Sequence, residues 1–170
     1  YLSEQHSVTN LAQAGVSEYK IIRQLESASV YDLAIVVHTS PYRVHIAQHP
    51  LHANTQLHQN CDLLYSDLEH SQQYNNVVVN AGLNYFRYIF DTDYYNGIYE
   101  IMLGHINGLI DPDRCLHLTF FNNPGIRYPF QHFQNLSQIF AKHPGAVNHL
   151  SDRGHREVIQ AITPWIDQHC

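Results

Sequence analysis

Val30-Tyr31-Asp32-Leu33-Ala34-Ile35-Val36-Val37-His38-Thr39-Ser40-Pro41 is the stretch on which the fold class turns. Val30 to Val37 is an almost unbroken apolar run, the pattern of a strand covered on both faces. It closes in polar residues and Pro41, which cannot continue a central strand. On its N-terminal side, Ser17 can cap a helix through about Ala28, with Tyr19, Ile22 and Leu25 along one stripe. Ser7-Val8-Thr9-Asn10-Leu11 is short and β-prone.

Beyond Pro41 the pattern changes. Residues 41–74 are polar and rich in His, Gln and Asn, with a short helix predicted near Cys61 to Glu69, and read as a long insertion beside a site. Helical period then returns. Val78, Ala81, Tyr85 and Ile89 mark one helix, and Asp91-Thr92 cap the next. The core stripe of that second helix is Tyr95, Ile98, Tyr99, Met102, Ile106 and Leu109. Cys115 to Phe121 reads as a second strand running into Asn122-Asn123-Pro124-Gly125. A helix near His132 to Lys142 follows. A last one starts at Ser151 with Val158, Ile159 and Ile162 inward, and Pro164 disturbs it. Strands alternating with helices predict an α/β fold of three layers, α/β/α, around a parallel sheet. Ligands in such sheets collect beyond the carboxyl ends of the strands, here the turns at Gly15, Ser40 and Asn122.

Composition narrows the function. The 170 residues are 44% hydrophobic and 14% charged, enough for one core in a single domain spanning 1–170. Nine Lys and Arg against fifteen Asp and Glu leave −6, which speaks against nucleic acid as a partner. The longest aliphatic run, Leu33 to Val37, is far too short to span a membrane, and the default location is cytoplasmic. Cys61, Cys115 and Cys170 form no CxxC pair, so buried or terminal thiols are expected. Among fourteen histidines, His45, His49, His52 and His58 crowd together. His45 and His49 share a spacing that on a helix lets two imidazoles meet one metal, but Pro50 follows at once and no HExxH base accompanies them. A solvated or hydrogen-bonded cluster is the expectation, with a His-rich metal-binding domain as the last alternative. No metal ligands and no cofactor are assigned.

Asn148-His149-Leu150-Ser151-Asp152-Arg153-Gly154-His155 resembles the last block of the SGNH/GDSL hydrolase family, in which a histidine precedes Leu-Ser-x-x-Gly-His and a helix. Asn10-Leu11-Ala12-Gln13-Ala14-Gly15 is similar to the second block, and Asp32 through Pro41 occupies the place of the third. The resemblance implies a flavodoxin-like sheet and a serine esterase or acyl hydrolase acting on a small-molecule ester. It implies His149 as the catalytic base, and Gly15, Ser40 and Asn122 around the oxyanion and substrate. The 41–74 insertion would then shape the cleft.

The chain also departs from the pattern. No Gly-Asp-Ser block precedes Asn10, so the nucleophile strand is expected upstream of Tyr1. Ser40 and Pro41 replace the asparagine and aspartate of the third block. Ala146 stands where the family has the acid that orients the histidine. A non-catalytic binding domain using the same cleft is therefore the alternative.

Overall fold

The computed structural model describes residues 6–28, 30–52, 54–56, 58–145 and 149–170. Its elements run α1 (Glu18–Ser27), β1 (Ala34–His38), α2 (Tyr65–His70), α3 (Val77–Tyr88), α4 (Thr92–Leu109), β2 (Cys115–Thr119), β3 (Phe133–Asn135), α5 (Ser137–Lys142) and α6 (Asp152–His169). The strands form one parallel sheet in the order β1-β2-β3. The fold is α/β.

Register decides which side chains share a face. Ala34 lies beside Cys115, Val36 beside His117 and His38 beside Thr119, so these residues point to one side. That side packs under α1 and α4, with Ile21, Ile22, Tyr99, Leu103 and Ile106 in one apolar cluster. Ile35 lies beside Leu116 and Val37 beside Leu118 on the other side. There Leu116 and Leu118 meet Ile162, Trp165 and Ile166 of α6. A third cluster joins Leu63 and Leu68 to Val79 and Leu83 of α3, which fastens the insertion to the body.

Caps explain the helix starts. Asn76 accepts from the Val78 and Val79 N–H groups, and Asp91 from those of Asp93 and Tyr94. Ser151 accepts from the Gly154 N–H, so α6 begins where the sequence places it. It also runs through Pro164 without ending, at the loss of one internal hydrogen bond.

Several expectations change in the structure. Residues 7–13 are exposed and form no strand. The 132–142 region is a short strand followed by a six-residue helix rather than one helix. In α4, Leu103 is buried and Leu109 is 39% exposed, so the core stripe is rotated from the predicted one. No helix carries His45 and His49. β2 is buried on both faces, whereas Ile35 and Val37 of β1 are 37% and 45% exposed, because among the described residues β1 has only β2 beside it. No helix among the described residues is long and apolar enough to cross a membrane.

Tyr99, fully buried on α4, donates its hydroxyl hydrogen to the Thr39 carbonyl at 2.6 Å. Burial holds this phenol protonated, well above the ordinary tyrosine range. The bond ties the end of β1 to α4. Tyr99→Phe would leave the Thr39 carbonyl without its partner and is expected to cost about 1–3 kcal/mol, read from urea unfolding midpoints.

Candidate functional site

The site is built where β1 ends and the chain turns away. Gly15 stands at φ +69°, a left-handed conformation that glycine adopts freely. A Cβ here would also collide with the Cys61 sulfur. The Gly15 carbonyl accepts from the Asp62 N–H at 2.9 Å and from Arg43 Nη1 at 3.2 Å. Arg43 Nε donates to Thr39 Oγ1 at 2.9 Å. One guanidinium thus joins the turn before α1 to the residue after β1.

Asp62 holds the same region from below. Its buried carboxylate accepts from the Ser17 N–H at 2.6 Å and the Ile46 N–H at 2.9 Å, and lies 2.8 Å from Lys20 Nζ. Burial pushes its pKa up, but the hydrogen bonds from Lys20, Ile46 and Ser17 outweigh burial, and the carboxyl titrates below the ordinary aspartate range. Val44 and Leu63 close the loop with paired backbone bonds.

A second polar group crosses the sheet. His38 Nδ1 lies 2.6 Å from Glu18 Oε1, and His38 Nε2 lies 2.9 Å from His117 Nδ1. All three side chains are buried. Phe130 stacks on His117 at 3.6 Å between ring centres and on His38 at 4.7 Å. Burial, reinforced by His38 and His132, lowers the His117 pKa to about 3. His117 is therefore neutral at ordinary pH. Both His38 nitrogens are occupied, so its imidazole orients and supports rather than exchanging protons with a ligand.

A cavity of about 730 Å³ runs along β1 to these groups. Gly15, Thr39, Arg43, Phe121, His149 and His155 are among the residues that line it. Gly15 and His149, from opposite ends of the sequence, share this one space. Ser40 and Asn122 do not line it; their neighbours Thr39 and Phe121 do. Ser40 Oγ accepts from the Tyr42 N–H at 3.3 Å, and Asn122 sits exposed after β2. His149 is exposed and its carbonyl accepts from the Gly145 N–H at 2.6 Å. Its ring has no hydrogen-bond partner among the described residues. Ala146, where an orienting acid would stand, lies outside the described residues.

The histidines of the insertion stack on one another. His49 and His52 have ring centres 4.5 Å apart, and His52 and His58 5.7 Å. His58 Nδ1 lies 3.5 Å from Cys61 Sγ. Among the described residues no three His, Cys, Asp or Glu side chains converge as a metal site.

Glu18, His38, Arg43, Asp62 and His117 were not singled out from the sequence. The available signal was one histidine in each of two mostly apolar strands, at positions that the register puts on the same face, two residues apart. Comparisons with family models, with curated proteins and with solved structures find no match to this chain.

Acid should expose these groups in order. His117 has its pKa lowered from 6.5 to about 3, so the unfolded chain binds a proton that the folded chain refuses. Its contribution is full above pH 6.5 and is lost as pH falls from there towards 3. Urea midpoints measured across this window should fall with a slope near 1.4 kcal/mol per pH unit for this group, and a flat profile would refute a neutral buried His117. Asp62→Ala at pH 7 would leave the Ser17 and Ile46 N–H groups without their acceptor, while Lys20 Nζ keeps the Ile46 and Asn60 carbonyls, and a loss of about 1–3 kcal/mol for each stranded N–H is expected in the same assay.

Proposed function

We propose that the chain forms the body of a serine acyl hydrolase of the SGNH/GDSL type, with the three-layer, flavodoxin-like arrangement that family implies. The observation that carries this reading is that Gly15 and His149, far apart in sequence, line one cavity running along β1. In such a reaction a serine hydroxyl adds to the ester carbonyl while His149 takes its proton. The Gly15 N–H steadies the negative oxygen, and the proton then passes to the departing alcohol. Water hydrolyses the acyl intermediate by the same route. The ester is a small molecule, and no step calls for a cofactor. The serine itself belongs to a strand block that the motifs of this chain do not supply.

One observation favours a second reading, a ligand-binding domain without catalysis. Ser40 replaces the amide expected in the third block, and its hydroxyl is turned to the Tyr42 backbone instead of the cavity.

Hydrolysis of p-nitrophenyl acetate by the full-length gene product separates the two. The hydrolase reading expects turnover, covalent labelling of one serine by a fluorophosphonate, and a loss of about 100- to 10,000-fold in kcat for His149→Ala. That side chain is exposed, so the variant should fold normally. Absence of both label and turnover assigns the cleft to binding, and turnover unchanged in the variant removes His149 from the chemistry.

A further inference from the structure

A second cavity, of about 520 Å³, shares no lining residue with the one along β1. Separate segments meet around it. Tyr42 comes from the chain after β1, Tyr65 from the start of α2, Phe86 and Arg87 from the end of α3, and Phe90 from the turn into α4. Four of these five side chains are aromatic. Tyr42 meets Phe90 edge-on at 78° and Tyr65 meets Phe86 at 68°, while the Phe86 and Phe90 ring centres lie 5.1 Å apart with a tilt of 40°. Such walls present both ring faces and ring edges, the two surfaces against which a planar aromatic group packs best.

The walls are held from behind. Phe90 stacks on Tyr95 at 4.4 Å between ring centres, and the Tyr95 hydroxyl is hydrogen-bonded to that of Tyr85. Phe86 packs against the apolar cluster of Leu63, Leu68, Val79 and Leu83. A pocket backed in this way is formed before a ligand arrives, which lowers the cost of ordering on binding.

Charge then selects among planar ligands. No Asp or Glu lines this cavity, and its single charged side chain is Arg87. The guanidinium is exposed and forms no ion pair among the described residues. Glu69, the acid that acts on it, instead accepts from the Tyr65 hydroxyl at 3.0 Å. Arg87 thus keeps donors for a ligand, in the fork geometry that matches a carboxylate.

We infer that this cavity binds a planar aromatic carboxylate, with its ring among Tyr42, Phe86 and Phe90 and its acid group on Arg87. Ring packing supplies affinity, and paired N–H···O bonds to the guanidinium fix the orientation. The inference goes beyond the hydrolase reading and does not rest on it, since neither Gly15 nor His149 lines this cavity.

The test titrates the full-length gene product with 2-naphthoate, followed by naphthyl fluorescence, and saturable binding in the micromolar range is expected. Arg87→Gln should weaken naphthoate at least about tenfold and leave the neutral naphthylmethanol unchanged. Its thermal midpoint should match the wild type, because the side chain is exposed. Tyr42→Ala should weaken both ligands, since it removes a wall and not the charge. Absence of saturation overturns the inference, as does equal binding of naphthoate by wild type and Arg87→Gln. Decanoate bound as tightly as naphthoate would make this a site for alkyl acids, and a naphthylmethyl trimethylammonium ion bound more tightly would make it a cation cage. Either result overturns the inference too. So does loss of naphthoate binding in His149→Ala, which would move the ligand to the cavity along β1. None of these readouts is an esterase assay, so failure here leaves the hydrolase reading standing.

Discussion

The line Glu18–His38–His117 holds the remaining structure in place. It joins α1 to β1 and β1 to β2 through three side chains that all lie out of water. Such groups are costly to bury alone and tolerable only when each supplies the other's hydrogen bond. The arrangement therefore admits little sliding. A shift of α1 along the sheet would separate Glu18 from His38, and a slip of one residue between β1 and β2 would place His117 on the opposite face. Apolar clusters supply most of the burial, but they tolerate small displacements that this polar line does not. Phe130 closes it from the far side by stacking on both imidazoles.

Two further charged side chains extend that order into the loops. Asp62 collects the start of α1 and the backbone of the insertion, and Arg43 joins Gly15 to Thr39. The turn at Gly15 is thereby fixed from both sides, although residues 41–64 contain almost no regular structure. These contacts fix Gly15, and the Ser151 cap fixes the start of α6 just after His149, on the cavity that both line. The insertion thus acts as a brace for the cavity, tied through Leu68 to α3.

Much of the fold was legible because it follows from periodicity. The first two strands fall within or overlap the apolar runs 30–37 and 115–121, though β1 begins only at Ala34. The long helices α3, α4 and α6 form where periodicity and caps predict helix, with α3 burying Val79 and Leu83 rather than Val78 and Ile89. What escaped the sequence is tertiary in origin. Phe133-Gln134-Asn135 has no strand pattern and becomes one because His117, Leu118 and Thr119 lie beside it. The exposure of Ile35 and Val37 cannot be read from their apolarity, since it depends on which neighbour the strand has. The sequence singled out Gly15 by its turn and His149 by the family resemblance of its block, and the structure puts both on the lining of one cavity. Arg43, Asp62 and Glu18 look like ordinary surface charges until the fold encloses them. Glu18 in particular has the sequence context of a first-turn helix acid, yet it is 1% exposed.

The contact between Cys61 and Gly15 has a practical corollary. The thiol is buried and burial pushes its pKa up, so little thiolate forms at neutral pH. Its sulfur fills the space that any side chain at Gly15 would need. An alkylating reagent attached there has nowhere to go unless the turn lifts away. The rate at which this thiol is modified consequently clocks the local breathing of the cavity wall, giving a built-in chemical stopwatch that needs no introduced label.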